Sequence, residues 1–520
     1  MTLATAKLPK DFDSLKAMYL EETRLLKHEL ANKAAEIQYL EELLKLSKHK
    51  RFGQSSEKFA GMKNLFNEAE DELVDGESSE EEQQQDEKSK KKKKNRGKPK
   101  RAPLPDHLPR KDVVIDLPEL ERLGCDGKPL KEIGEEVSEH VEIEPAKITV
   151  IRTIRKKYGG CSCESCLKTS PVPVRPIPKS IAGAGLLAFI IVSKYCDGLP
   201  LNRLAGVLKR SGIDISRGLM AGWMIRVASL LTPLYNLLED ELLASSYINC
   251  DETRVQVLKE DGKSATSQSY MWVRCRAGPA ESPIILYEYD PTRSGTVPVR
   301  LLEGFKGYLQ VDAYSGYDRV CADGSIIRVG CWAHSRRKFE EAIKGHKNPK
   351  KARVAKKALK YIGLLSKVEK ECEGKSLEET VKIRQEKSQP ILDEMHAWLT
   401  EAKDQVPPKT LTGKALYYVD AQWDTLTVYV DDGRLKMTNN VAENVIRPFV
   451  VGRKAWLFSS TPNGARASAI LYSLIITARA NGLDAYKYMR HVLNEIPKAQ
   501  TAEDYEALLP HRVDMADAVR

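Results

Sequence analysis

Long apolar runs are missing from this 520-residue sequence. The longest, Leu186 to Val192, falls far short of the roughly 20 residues that cross a bilayer. No membrane span is therefore expected. Met1 to Lys10 has no apolar core behind its basic residues, so no secretory signal is expected either. Ten cysteines are present without a regular framework, which argues against a disulfide scaffold. Glycine and proline are absent from Phe12 to Leu46, a Leu-, Glu- and Lys-rich stretch. What remains is a chain with 42% apolar residues, enough for real cores, and a modest net charge of +10 that is unevenly spread. These features favour a cytosolic protein that faces nucleic acid, built of roughly three or four domains.

In the stretch without glycine or proline, Tyr19, Leu26, Leu30, Ile37, Leu40 and Leu44 fit a 4-3 heptad, interrupted by Thr23 and Lys33. A coiled coil over about residues 10–60 is expected, and with it self-association; a lone amphipathic helix is the alternative. Residues 61–105 run from strongly acidic to strongly basic and are too poor in apolar side chains for a core. That is a linker, whose basic half could hold DNA phosphates. Residues 106–175 alternate apolar and polar in places and carry Cys125, Cys161, Cys163 and Cys166. Cys163-x-x-Cys166 is half of a zinc site, and Cys161 and Cys125 can complete four thiolates. A loop in a module that has lost its metal is the alternative. Residues 176–244 read as helical. Pro200 starts one helix, Ser211-Gly212-Ile213 turns, and Ser216 caps a second helix through Trp223, as in a helix-turn-helix or a plain bundle.

From Ser246 the pattern turns to strands: Tyr247–Cys250, Ser269–Arg276, Pro283–Tyr289, Gly307–Val311 and Ile326–Cys331, then a helix from about His334 to Lys344. A mixed sheet covered by helices follows. Asp251 and Asp312 each end an apolar run, and Glu443 lies on an amphipathic helix. Carboxylates at neighbouring strand ends, joined by one from a helix, can hold two Mg²⁺ or Mn²⁺ ions for an in-line displacement at phosphodiesters. Near Glu443, a helix running to Pro448 with a loop beyond would turn Arg447, Arg453 and Lys454 toward the same cleft. Arg336, Arg337 and Lys338 are expected to face DNA, with a solvated helix face as the alternative. Trp456 and Phe458 can stack on a base or fill the core. His334 can touch a phosphate or serve structure near Cys331.

The wording around these acids is more specific than the acids. Cys250-Asp-Glu-Thr253, Leu309-Gln-Val-Asp-Ala-Tyr-Ser-Gly-Tyr317, Cys331-Trp-Ala-His-Ser-Arg-Arg-Lys-Phe339 and Asn439-Asn-Val-Ala-Glu-Asn-Val-Ile-Arg447 resemble the Insertion Sequence 66 family of transposases. So does Gly452-Arg-Lys-Ala-Trp-Leu-Phe458, and the resemblance spans nearly the whole chain. It implies a ribonuclease-H-like α/β core over 245–341 and 437–480, a helical insertion over 342–436, a C-terminal tail over 481–520, and the triad Asp251, Asp312 and Glu443. The family's C-x-x-H pair falls on Cys331 and His334. It further implies a bacterial, nucleoid-associated enzyme that cuts the inverted-repeat ends of its element and joins them to target DNA, with small accessory proteins as possible partners. A nuclease that cuts without joining, and a DNA-binding protein with a defunct site, are the alternatives. Two departures stand out: Thr438 where the family has Asp, and Cys125-Asp-Gly127 where it has a close Cys pair.

Overall fold

The computed structural model describes residues 11–52, 148, 150–151, 157–158, 168–169, 174–276, 281–349 and 352–515. The linker, most of the cysteine-bearing segment and Cys125, Cys161, Cys163 and Cys166 lie outside the described residues.

The centre is a five-stranded sheet: β1 (Tyr247–Gln256), β2 (Gln268–Arg276), β3 (Ile284–Asp290), β4 (Gly307–Gln310) and β5 (Ile326–Val329). Their spatial order is β3-β2-β1-β4-β5. The first three form an antiparallel meander, while β4 and β5 join β1 in parallel. β4 starts at Gly307, whose φ of +138° and close approach to Ser246 O leave no room for a Cβ. That contact sets the register Asn249↔Gln310.

β1 departs from the reading of the sequence. Asp251 does not end the strand but sits in its middle, because Asp251 to Gln256 continue the ladder with β2 after the pairing with β4 has stopped. Asp251 thus marks the end of the parallel section only.

The flanking helices are α1 (Phe12–Phe52), α2 (Ala184–Tyr195), α3 (Leu201–Arg210), α4 (Arg217–Leu243), α5 (Thr296–Leu301) and α6 (Trp332–Gly345). The insertion comprises α7 (Arg353–Glu371), α8 (Leu377–Ile383), a π-helical turn (Arg384–Ser388), α9 (Gln389–Gln405), α10 (Leu411–Ala421) and α11 (Trp423–Thr427). After it come α12 (Asn440–Trp456), α13 (Pro462–Ala480), α14 (Ala485–Glu495) and α15 (Ala502–Glu506).

One apolar core joins β1–β3 to α2, α4, α13 and α14, and a second joins β5 and α6 to the insertion. α13 lies along the open edge of the sheet. Its Ser473 and Thr477 hydroxyls accept the amides of Tyr287 and Ile285 at 2.8 and 3.0 Å, so β3 presents no free edge there. Ser216 caps α4 as the sequence indicates, accepting from Leu219 N at 3.2 Å, but that helix runs on to Leu243. The segment expected as a tail supplies Tyr488, Met489, Val492 and Leu493 to the first core.

α1 is one unbroken helix. Tyr19, Leu26, Leu30, Ile37, Leu40 and Leu44 are each more than half exposed. Its C-terminal turns dock on α6 and α10, where Glu42 accepts the amide of Leu411 at 2.9 Å and Leu46 is buried.

Candidate active site

Parallel register carries two of the three acids together. Two residues beyond the Asn249↔Gln310 pair stand Asp251, still within β1, and Asp312, just past the end of the neighbouring β4. Glu443 arrives from the first turn of α12, which packs across β1 and β2. Like charges make the proximity felt. Burial first, and then the charges of Glu252, Asp312 and Glu443, together push the Asp251 carboxyl up to about 8, against an opposing hydrogen bond from the Glu252 amide.

A network of buried amides fixes these segments. Gln310 Oε1 accepts from Tyr247 OH at 2.5 Å and from Asn249 Nδ2 at 3.2 Å. Asn249 Nδ2 also donates to Asn439 Oδ1 at 2.8 Å, and Asn439 Nδ2 donates to Cys250 O at 2.9 Å. The Asn439 amide donates to Cys331 Sγ at 3.1 Å. Asn249, Gln310 and Asn439 are all essentially inaccessible to solvent. They join β1, β4, the start of α6 and the start of α12 at the point where the acids emerge. Sequence reading gave Asn249 and Gln310 no role of their own and treated Asn439 only as part of a motif.

Glu252, also unassigned from sequence, is buried and held by Arg293 Nε at 2.7 Å and Tyr317 OH at 2.8 Å. Burial raises its carboxyl, and those two partners oppose the rise. The Arg293 guanidinium lies over the Tyr314 ring, and the Tyr314 amide donates to Asp312 Oδ1 at 2.9 Å, which ties the Asp312 loop to β1.

The cations divide. Arg337 reaches Glu443 Oε2 at 3.5 Å, and His334 Nδ1 stands 3.8 Å from Glu443 Oε1. Burial holds the His334 imidazole below its ordinary value, with Glu443 opposing. Arg336 pairs instead with Glu340 at 2.8 Å, and Lys338 lies over the Tyr418 ring. α12 does not stop at Pro448 but continues to Trp456. The carbonyl that Pro448 cannot satisfy belongs to Asn444, an exposed residue. Arg447 is half-buried one turn beyond Glu443, and Lys454 is exposed. Arg453 turns back onto β1, bonding Thr253 Oγ1 at 3.1 Å and Arg254 O. Trp456 packs edge-on against Phe449, and Phe458 is exposed.

An acidic, half-enclosed site rimmed by cations suits a divalent ion and a phosphate. Glu443 Oε1 is buried without a hydrogen-bond partner, an arrangement that a bound cation would satisfy.

Comparison with known proteins identifies the chain. It belongs to the transposase IS66 family, which residues 179–467 match. Residues 473–511 match the IS66 C-terminal element, and 124–166 the zinc-finger binding domain of transposase IS66. Residues 39–113 match the region described as transposase C of IS166 homeodomain. Three similar proteins come from Sinorhizobium fredii (strain NBRC 101917 / NGR234), each described as an uncharacterized protein. The first, y4hP, is 32% identical over 438 residues, covering 81% of this chain and 78% of that one. For y4jD the identity is 34% over 422 residues, with 78% and 81% covered. For y4qI it is 31% over 545 residues, with 98% of each chain covered. No helix among the described residues is long and apolar enough to cross a membrane.

Proposed function

We propose that this transposase-family chain is an active DNA transposase with a ribonuclease-H-like core, in which Asp251, Asp312 and Glu443 form one catalytic centre. The observation that carries the reading is the convergence of these three carboxylates. Two leave adjacent strands where the parallel pairing ends, and the third comes from the helix laid across them.

Hard oxygen donors of this kind fit Mg²⁺ or Mn²⁺. Bound there, such an ion would supply an activated oxygen nucleophile and offset charge developing on the phosphate. The chain's own residues orient the site. Asn249, Gln310 and Asn439 hold the acids in register, Glu252 and Arg293 fix the Asp312 loop, and Arg337 restrains one oxygen of Glu443. His334, Arg336, Arg337, Lys338, Arg447 and Lys454 would line the path along which DNA would lie, with the cations taking its phosphates, while Arg453 latches α12 to β1 and Trp456 packs against Phe449. Water first breaks a P–O bond at the element end and frees a 3′-hydroxyl. That hydroxyl then attacks a target phosphodiester, one P–O bond forming as another breaks.

The remaining regions serve end pairing. The exposed heptads of α1 would meet those of a second copy, holding two element ends together. α3 and α4 would dock on the terminal repeats, and Cys125, Cys161, Cys163 and Cys166 would bind Zn²⁺. Small accessory proteins of the same element fit as further partners, and the nucleoid of a bacterial cytoplasm as the setting.

The test is a strand-transfer assay with pre-cleaved element ends, target DNA and Mg²⁺. Joining is expected from the unaltered chain and lost in Asp251→Asn and Glu443→Gln, with end binding retained. Full activity in either variant would remove the triad, and failure to join pre-cleaved ends by a chain that still cuts uncleaved ones would reduce the protein to a nuclease.

A further inference from the structure

The tightest set of metal-ligating atoms among the described residues is not the acidic triad. One donor atom each from Cys331, His334 and Glu443 lies within 4.8 Å of the others. A thiol, an imidazole and a carboxylate suit ions of the zinc class, whereas three carboxylates suit Mg²⁺.

The local fold explains why they meet. Cys331 is the N-cap of α6, and His334 follows at a spacing of three with its amide donating to Cys331 O at 3.2 Å, so both side chains leave one side of the helix. The Asn439 amide reaches the Cys331 sulfur, which brings the start of α12 to this point, and Glu443 follows one turn later. His334 Nδ1 and Glu443 Oε1 are both buried, and neither has a hydrogen-bond partner. Their separation of 3.8 Å is too long for a hydrogen bond. It is close to the roughly 3.4–3.6 Å between two ligands of one tetrahedral zinc ion. Arg337 occupies the other carboxylate oxygen of Glu443 and leaves Oε1 to the cluster. The hydrogen bond to Cys331 Sγ is the kind of outer contact that orients a ligating thiolate.

We propose that Cys331, His334 and Glu443 form a second metal site that takes a thiophilic divalent cation of the zinc class. It is separate in residues from the cysteines of the 124–166 segment and shares only Glu443 with the acidic triad. Three protein ligands leave a fourth position for water. Binding converts the thiol to a thiolate ligand and releases its proton to solvent. An ion held here draws one oxygen of Glu443 away from Asp251 and Asp312. Only that competition rests on the catalytic reading; ion binding does not.

Cobalt(II) serves as the probe on the full-length chain. Cys163→Ser/Cys166→Ser is the background, so that the paired thiolates of the other segment do not contribute. This parent is expected to bind Co²⁺ with a sulfur-to-metal charge-transfer band. Cys331→Ser should abolish the band, and His334→Ala and Glu443→Gln should each weaken binding by at least about tenfold. A parent that shows no such band, or a band that survives Cys331→Ser, overturns the proposal. Should Cys331→Ser fail to fold, His334→Ala and Glu443→Gln decide alone, and unchanged affinity in both overturns it. Such a failure would leave the catalytic reading standing, since a separate Mn²⁺ titration reads the acidic triad.

Discussion

Arg384 in the insertion and Glu443 on α12 are both enclosed charged side chains, and their surroundings treat charge in opposite ways. All five N–H groups of Arg384 are used. Two bond Glu369 at 2.8 and 2.7 Å, and three bond the carbonyls of Tyr429, Asp432 and Leu435 at 2.7–3.0 Å. Around Glu443, one carboxylate oxygen is buried without a hydrogen-bond partner, and Glu443, Asp312 and Glu252 all repel the carboxylate of Asp251. The insertion closes its charge into structure. The site leaves charge open, and an open acidic cluster beside satisfied amides is suited to an ion and a phosphate.

Substitutions can break that contrast, and the largest effect is expected in the insertion. Arg384→Ala leaves Glu369 and three carbonyls unpaired and should destabilise the chain by about 3–5 kcal/mol. Chemical denaturation measures it, and a cost below that of an ordinary surface substitution would mean the hub carries no weight. Asn439→Ala comes next. It removes a donor to Cys250 O and an acceptor for Asn249, at an expected cost of about 1–3 kcal/mol, and loosens the acids it holds. Cleavage should slow while its need for Mg²⁺ persists.

The third change runs the other way. The Asp251 carboxyl is raised from 3.8 to about 8, so the folded chain binds more protons there than the unfolded one across that interval. The contribution of this group to stability is therefore full below pH 4 and is lost as the pH climbs to about 8. Without added metal, Asp251→Asn should melt a few degrees above the unaltered chain at pH 8 and level with it near pH 4. Added Mg²⁺ should stabilise only the unaltered chain. Equal melting at pH 8 would show that neither burial nor the neighbouring acids penalise the Asp251 carboxylate.

Much of the sheet was legible because its strands are apolar runs bounded by turns. β1 was cut short because Asp251-Glu-Thr-Arg254 is polar, and polarity reads as a strand end. Only the partner strand β2 shows that the ladder continues. Pro448 misled in a similar way: proline ends most helices, but here the carbonyl it orphans belongs to an exposed residue, Asn444, and the helix runs on. The acids themselves could be picked out by their motifs. The amides that fix them could not, since Asn249 and Asn439 are 190 positions apart and a neutral side chain leaves no charge signature. Arg453 shows the limit of charge as a guide, for a cation three turns from an acid can as well latch a helix to a strand.

The central claim is that Asp251, Asp312 and Glu443 act as one centre for a hard cation. Mn²⁺ titration of the full-length chain, followed by electron paramagnetic resonance, tests it most directly. The account predicts that Asp251→Asn, Asp312→Asn and Glu443→Gln each weaken binding strongly, and that Cys331→Ser does not. Mn²⁺ binding that is indifferent to any one of the three carboxylates would contradict it.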